Sequence, residues 1–401
     1  VESSSVENLF VSVIAIVLLV IQIPTVAILL SRLLKGPGRY PPLTPKVAPP
    51  ELLGTVSIVV PTLNEAERIS PCLAGLTRQG HEVREVVVVD SRSQDGTVDL
   101  VKAAAQRDPR FRVMTDDPLP PGWVGRPWAL HNGFLHSSDR STWVLGIDAD
   151  TQPQPGLVAS VVATAEAEGY DLLSLAPQFI LKYPGELCLQ PALLMTLLYR
   201  FGPAGASVGG ADRIMANGQC FLSRRSLLSE LGGYSSARDS FCDDVTLARN
   251  AAHHGAKVGF FDGSQILKVR MYEGAAETWR EWGRSLDLKD ACTVSQKWGD
   301  VAFLFAVQGI PLLAFVGLAI AWLTGIQTLP VLAALVVNVI LLIIRFGMLL
   351  AIQSSYDRSQ SPLPWIFWLS PLADPLAVVR ILISSIQTPK QWRGRSYSSV
   401  K

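Results

Sequence analysis

Hydrophobic positions fall into two regimes along the 401 residues: helix-length apolar stretches at both ends, and short β-branched runs alternating with amphipathic stretches between them. Leu9 to Leu30 is almost wholly apolar and long enough to span a bilayer. Val301 to Thr324 and Leu329 to Gln353 predict two more spans. The turn between them, Gly325-Ile-Gln-Thr328, is so short that they form a hairpin crossing out and back. Pro364 to Ile386 is also apolar, but Pro371 and Pro375 interrupt it with Asp374 between them. That pattern predicts two short helices lying in or re-entering the membrane.

The middle reads as α/β. Strands are predicted at Val56 to Val60, Val83 to Val89, Phe111 to Met114, Trp143 to Ile147, Asp171 to Pro177 and Cys220 to Ser223. Helices are predicted at Ala66 to Gln79, Val98 to Arg107, Trp128 to Leu135, Gly156 to Glu168, Arg224 to Leu231 and Val245 to His254. Alternation of this kind implies a mostly parallel sheet. Pro184 to Phe201 has a broad aliphatic face and is read as an interfacial helix, with a buried helix as the alternative. The expected domains are an N-terminal span (1–33), a Pro/Gly-rich linker (34–54), an α/β domain (55–290) holding helix 184–201, a transmembrane hairpin (301–353), and interfacial or re-entrant helices with a basic Trp/Arg tail (363–401).

Composition narrows the class. A net charge of +1 gives no basic face for nucleic acid. Five scattered cysteines without CxxC spacing speak against a disulfide framework and a zinc site. Glu2 and Glu7 precede the first span, and Arg32, Lys35 and Arg39 follow it. This asymmetry places the amino terminus outside and the α/β domain in the cytoplasm, and it is unlike a cleaved signal peptide. Arg345 is costly in lipid and shares a helical face with Asn338, so that face is expected to look into protein or toward a polar head group.

The candidate chemistry begins at Val144-Leu-Gly-Ile-Asp-Ala-Asp-Thr151, where a strand delivers Asp148 and Asp150 to its carboxyl end. Residues two apart in an extended segment point the same way, so the pair forms a pincer for a hard divalent cation, and a cation there can hold a diphosphate. Asp90 ends another buried strand and needs a partner, such as a nucleobase N–H or a ribose hydroxyl; the alternative is a turn leading into a helix capped by Ser91 or Ser93. Open α/β sheets bind ligands at these carboxyl edges.

Pro61-Thr-Leu-Asn64-Glu65, Asp90 to Thr97, Gly125-Arg126-Pro-Trp-Ala-Leu130 and Asp148-Ala-Asp150 resemble, in order and spacing, the motifs of family 2 glycosyltransferases with the GT-A fold, a Rossmann-like nucleotide-diphospho-sugar transferase domain. The resemblance covers about Val56 to Lys289. It implies that Pro61, Asn64, Glu65 and Asp90 contact the donor, and that Asp148 and Asp150 hold ribose and a divalent metal, Mg2+ or Mn2+. Asp150 is then the direct ligand, and Asp148 contacts ribose or the metal's water shell. Phe241-Cys-Asp-Asp-Val245 matches the acidic pair carrying the family's base, giving Asp244 that role with Asp243 as its neighbour; both also suit a helix amino end. Gln219 matches a segment that touches the acceptor or donor sugar. Arg126 stands where many members have lysine and is either a phosphate contact or a surface arginine.

The Gln-x-x-Arg-Trp motif of processive and ceramide-type members is absent. Glu277 to Ser285 offers Trp282 as the tryptophan and Arg280 or Arg284 as the cation, and Gln296-Lys-Trp298 is a poorer second candidate. The tail, with Arg393 and Arg395 in Trp392-Arg-Gly-Arg-Ser-Tyr397, resembles that of a bacterial membrane-bound branch acting on polyisoprenoid lipids. That branch includes cyanobacterial-type carotenoid and hopanoid-associated glycosyltransferases. The tail either closes over the donor phosphates or anchors at the interface.

The resemblance implies a multi-pass protein of the bacterial inner (or thylakoid) membrane. It would invert configuration while moving one sugar from a nucleotide-diphosphate donor to a lipid hydroxyl, first of all on a carotenoid or other isoprenoid. A ceramide- or sphingolipid-type acceptor is the second choice, and a non-catalytic sugar-nucleotide-binding membrane subunit the third.

Overall fold

In the computed structural model the described residues are 2–207, 209–282, 286, 288–387, 391–392 and 395–396. The chain opens with a long helix, α1 (Glu2–Leu33). Residues 34–54, expected to be a linker, lie along the catalytic domain instead. The Tyr40 and Leu43 amides bond to the carbonyls of Gly205 and Asp262, and the Tyr40 ring meets Phe261 edge-on at 5.1 Å.

The α/β region runs β1 (Val56–Thr62), α2 (Ile69–Thr77), β2 (Val83–Asp90), α3 (Thr97–Arg107), β3 (Phe111–Thr115), α4 (Gly125–His136), β4 (Trp143–Ile147), β5 (Thr151–Pro153), α5 (Leu157–Glu168), β6 (Leu172–Ala176), β7 (Gln178–Ile180), α6 (Pro184–Phe201), β8 (Cys220–Arg224), α7 (Arg225–Glu230), α8 (Asp243–His253), β9 (Val258–Asp262), β10 (Leu267–Val269) and α9 (Gly274–Glu281). The main sheet has the order β3-β2-β1-β4-β8-β6-β9. The strands from β3 to β4 are parallel, as expected, but β8 enters antiparallel to both neighbours and makes the sheet mixed.

The run of valines in β2 explains its central place. Val86 and Val88 face a core shared with α2, α3 and α5, and Val87 and Val89 face one shared with α4, α7 and α8. Residues two apart point to one face, so an all-apolar run suits a strand covered on both sides.

The carboxyl part comprises α10 (Val294–Leu304), α11 (Pro311–Leu323), α12 (Leu329–Ile352), a short strand β11 (Tyr356–Asp357), a 3-10 helix Pro364–Ala373 and α13 (Asp374–Ile386). Two-residue strands β12 (Gln391–Trp392) and β13 (Arg395–Ser396) follow. Among the described residues three helical stretches are long and apolar enough to cross a membrane: Val6–Gly38, Leu329–Ser355 and Pro364–Ile386. The stretch expected as one straight span, Val301 to Thr324, is instead a pair of helices bent by 47° at a π-turn, Phe305–Gly309. Pro311 begins the second helix; it lacks an N–H and cannot extend the first helix's hydrogen bonding. Pro364 to Ile386 does divide in two, at Ala373/Asp374.

Polar side chains join these helices. Gln22 of α1 and Asn338 of α12 exchange amide hydrogen bonds at 2.9 and 3.0 Å. Arg345 of α12 donates to Asp374 at 2.7 and 3.0 Å and to Ser370 at 3.0 Å. The face shared by Asn338 and Arg345 therefore looks into protein. Helix α6, read from its pattern as interfacial, has no exposed residue from Gly185 to Phe201. It is the joint on which the 3-10 helix, α13, α9 and α1 all pack.

Candidate active site

Strands β1, β2 and β4 run parallel, so their carboxyl ends meet at one sheet edge. Loops from β1 and β2 are stitched together there. The Asn64 amide donates to Ser93 Oγ and the Gln94 amide to Asn64 Oδ1, at 2.8 and 2.9 Å. The Glu65 and Ala66 amides donate to Thr97 Oγ1 and Asp95 Oδ2, each at 2.9 Å. Asn64 takes φ 54°, a left-handed conformation that asparagine tolerates better than most residues. The two motifs thus form one ridge.

Asp90 is buried and already partnered: Thr62 Oγ1 donates to it at 3.1 Å and the Ser93 amide at 2.9 Å. It lines neither of the two cavities at this edge. Ser91 and Ser93 do not cap α3; Gly96 holds that position at φ 94°, and the Thr97 amide donates to Asp95.

Asp148 and Asp150 lie beyond the end of β4 in a turn, not in the extended segment that the alternation rule assumed. Thr151 closes the turn, its hydroxyl donating to the Asp148 carbonyl at 2.8 Å. Both carboxylates still line the same cavity. Asp148 receives Arg126 Nε at 3.0 Å and Nη2 at 2.8 Å. Arg126 also pairs with Asp243 and donates to the Gly218 carbonyl at 2.9 Å. Asp243 and Asp244 form the first turn of α8, whose amino end favours negative charge. The Asp244 oxygens accept from the amides of Gly218 at 2.7 Å and Val245 at 2.8 Å. Gly218 sits between these groups: a Cβ there would lie 2.2 Å from Arg126 Nη2.

Burial pushes both Asp243 and Asp244 above the usual carboxylate range. Arg126 opposes the shift; for Asp243 the neighbouring charges of Asp244 and Asp148 add to it. Two carboxylates thus stand at a strand end and two at a helix start, with one guanidinium bridging them.

The cavity is about 760 Å³ and has two kinds of lining. Asp148, Asp150, Asp243, Asp244, Arg126, Asn217 and Gln219 line it at the sheet edge. Phe179, Leu194, Leu197, Tyr272, Trp282 and Leu286 belong to one apolar cluster and give it an apolar wall, beside which Glu277, Arg280 and Glu281 of α9 also face the cavity. Leu288 packs with Cys242 and Val245 next to the aspartate pair. Gln219 is buried, its Oε1 accepting from Asn217 at 3.1 Å. Trp282 packs against Phe179 with ring centres 5.6 Å apart. Glu186 fixes this wall: fully buried, it accepts from Arg270 at 2.7 and 2.8 Å and from the Gly274 amide at 2.6 Å, tying α6 to the start of α9. A smaller recess, lined by Pro61, Glu65, Ser91, Arg126, Asp148 and Asp150, opens beside it.

The structure therefore brings together Asn64, Glu65, Arg126, Asp148, Asp150, Gln219, Asp243, Asp244 and Trp282, with Pro61 in the recess. Arg280 also lines the cavity, paired with Glu281 at 3.2 Å, whereas Trp298 lies outside it. Arg284, Arg393 and the side chain of Arg395 lie outside the described residues. Phe179 and Tyr272 escaped sequence reading because β7 is three residues long and Tyr272 lies in a loop. Asn217 stands inside the Ala216-Asn-Gly-Gln219 segment and was legible there.

Residues 57–232 match the profile described as Glycosyl transferase family 2. The domain is a family 2 glycosyltransferase domain. The 4,4'-diaponeurosporenoate glycosyltransferase of Staphylococcus haemolyticus is 23% identical over 239 residues, 59% of this chain and 62% of that protein. The undecaprenyl-phosphate 4-deoxy-4-formamido-L-arabinose transferase of Pseudomonas fluorescens is 32% identical over 124 residues, 29% of this chain and 34% of the relative. The chain thus spans less than two thirds of the length of either relative. Among solved structures, the mannosyltransferase PcManGT of Pyrobaculum calidifontis, in complex with GDP-Man and Mn2+, superposes with a TM-score of 0.54 at 20% identity, covering 94% of this chain and 98% of that one. The family 2 glycosyltransferase domain has the GT-A fold, flanked by apolar helices at both ends.

The donor set suits a divalent cation. Asp148 and Asp150 offer only oxygen, the preference of Mg2+ and Mn2+, and Asp148 already binds a cation, the Arg126 guanidinium. Among the described residues no group of three or more His, Cys, Asp or Glu side chains forms a cage. An ion here would thus take further ligands from the donor's phosphates and from water, as Mg2+ commonly does.

Proposed function

We propose that this chain is an inverting, metal-assisted glycosyltransferase that moves one sugar from a nucleotide-diphosphate donor to the hydroxyl of a membrane lipid, a carotenoid or other isoprenoid alcohol first of all. A single cavity that is acidic at the sheet edge and apolar beside α6 carries the reading. The acidic groups suit a metal-bound diphosphate, and the apolar wall abuts the helices that would lie in lipid.

In this reading the ridge at Asn64 and Glu65 holds the nucleoside, with Asp90 positioning it from behind through the Ser93 amide, and Asp148 and Asp150 hold the diphosphate through the cation. When bound, that cation would neutralise charge on the departing diphosphate. Arg126 would pass from the carboxylates to the phosphates as the donor enters. Asp244 takes the acceptor proton. It is the better placed of its pair, because Asp243 is committed to Arg126 while Asp244 is held by backbone amides only. Gln219 orients the sugar, and Trp282 lies against the acceptor. Arg32, Lys35 and Arg39 after the first span support a cytoplasmic catalytic domain.

The charge balance supports a neutral acceptor. Among the described residues lining the cavity, acidic side chains outnumber basic ones nine to three. Each basic residue, Arg68, Arg126 and Arg280, already faces a carboxylate. A lipid phosphate, the acceptor in the name of the Pseudomonas relative, would meet repulsion there; a hydroxyl needs the base that the site offers.

The test is an acceptor panel. Purified chain receives labelled nucleotide sugars with a hydroxylated carotenoid, a ceramide or a polyprenyl phosphate. The reading expects label on a hydroxyl lipid, and label only on the phosphate refutes it. Nucleotide-sugar binding without transfer to any lipid would instead favour a non-catalytic subunit.

A further inference from the structure

A second groove, open and about 780 Å³, lies on the far side of β7 from the catalytic cavity, between the β7/β11 strand pair and the 3-10 helix Pro364–Ala373. Its polar groups are mostly donors. The Arg358 guanidinium lies over the Phe367 ring at 4.5 Å and near Trp368 at 5.8 Å, with no carboxylate partner among the described residues. The one acidic residue lining the groove, Asp357, is already engaged by Lys268 at 2.9 Å and Ser359 Oγ at 2.6 Å. Lys268 and Asp357 cancel, leaving the charge of Arg358. The indole N–H groups of Trp365 and Trp368 add donors without partners among the described residues.

The groove also has a definite place relative to lipid. Helix α12, long and apolar enough to span, ends at Ile352, and the chain then pairs with β7 through Tyr356 and Asp357. Trp365 is 57% exposed, and Leu369, Leu372 and Leu376, further along the 3-10 helix and into α13, are exposed as well. A cation and two tryptophans at the end of a span, opening onto apolar surface, have the composition of a membrane–water interface.

We propose that this groove binds the phosphate head group of an anionic membrane phospholipid, with Arg358 as the cation and Trp365 and Trp368 against the upper acyl chains. Its donors match the phosphate oxygens, and the exposed leucines beyond it offer the chains apolar surface. Strand β7 is the partition between the two cavities: Gln178 lines the groove, and Phe179 lines the catalytic cavity. Ring contacts run from Trp368 through Phe367, Tyr356 and Phe179 to Trp282, with centres 5.4 to 5.6 Å apart. A bound head group therefore braces the wall assigned to the acceptor. This second step rests on the proposed glycosyltransfer; the binding itself does not.

The test uses the full chain in nanodiscs of phosphatidylcholine with and without phosphatidylglycerol, reading lipid retained on the protein by native mass spectrometry. Phosphatidylglycerol should be retained in preference to phosphatidylcholine. Arg358→Gln should lower that preference about fivefold, the worth of one cation near an anionic surface. Arg358→Lys, which keeps the charge, should preserve most of it and shows that the fold survives change at this position. Equal retention of the two lipids, or undiminished preference in Arg358→Gln, would overturn the proposal. So would displacement of phosphatidylglycerol by inorganic phosphate, which would mark a site for a soluble anion. Retention needs no sugar transfer, so failure here is distinct from failure of the catalytic reading.

Discussion

Arg126 and Arg345 are both buried and both bound to aspartate, yet their surroundings differ. Arg345 is 3% exposed and joins α12 to Asp374 and Ser370, none of which lines a described cavity. Arg126 is shared among Asp148, Asp243 and the Gly218 carbonyl, all of which line one cavity. The same ion-pair chemistry is closed in one place and open in the other. A closed pair fixes helices; an open one can be exchanged for a ligand. A buried charge is therefore not by itself a functional site, and the partner's access to a cavity separates the two cases.

The largest expected effect is at the open site. Asp244→Asn should cut sugar transfer about 10²–10⁴-fold, the usual worth of a positioned base, while nucleotide-sugar binding in calorimetry changes little. Next come the two arginines. Arg345→Met leaves Asp374 buried and uncompensated, and should cost roughly 3–5 kcal/mol in detergent unfolding; pairing it with Asp374→Leu should recover most of that. Arg126→Met should also destabilise the chain, but Mn2+, which replaces the missing positive charge among the four carboxylates, should raise its melting temperature more than it raises that of the wild type or of Arg345→Met, whose site is intact. Equal shifts in all three would erase the distinction.

A pH profile sharpens the comparison further. Burial raises the Asp244 carboxyl, and a base must be ionised, so transfer should fall on acidification with a midpoint above the roughly 3.9 of an ordinary aspartate. Because the folded state holds that proton more readily than the unfolded one, stability at Asp243 and Asp244 should decline as pH rises through the same interval. The smallest effect lies at the half-exposed Lys268–Asp357 pair, where Lys268→Ala should cost less than about 1 kcal/mol. Asp357 is held down to about 2, first by the Ser359 hydroxyl and then, against burial, by Lys268. Its contribution is thus complete above the unfolded value and vanishes as pH falls through about 2.

Strands such as β2 and β4 were legible almost to the residue, because a strand buried on both faces is a continuous apolar run bounded by turns. The antiparallel entry of β8 was not, since strand direction depends on distant partners rather than on local pattern. The small sheet of β5, β7, β10 and β11 was invisible for the same reason: its strands have two or three residues each. Hydropathy found the apolar helices but missed the bend at Pro311, because hydropathy does not register a missing N–H. It flagged Arg345 and Asn338 on one face, yet their partners, Asp374 and Gln22, lie on other helices. At the site, motif order located the four aspartates, but the role of Arg126 as their bridge needed coordinates.

The most direct test of the account is the transfer of labelled sugar from a nucleotide sugar into extractable lipid by the purified full chain. It should be run with Mn2+ or with EDTA, on the wild type and on Asp150→Asn. The account predicts labelled lipid from the wild type with Mn2+, its loss in EDTA, and a comparable loss in Asp150→Asn. Labelling at the wild-type rate in EDTA, or in Asp150→Asn, would contradict it.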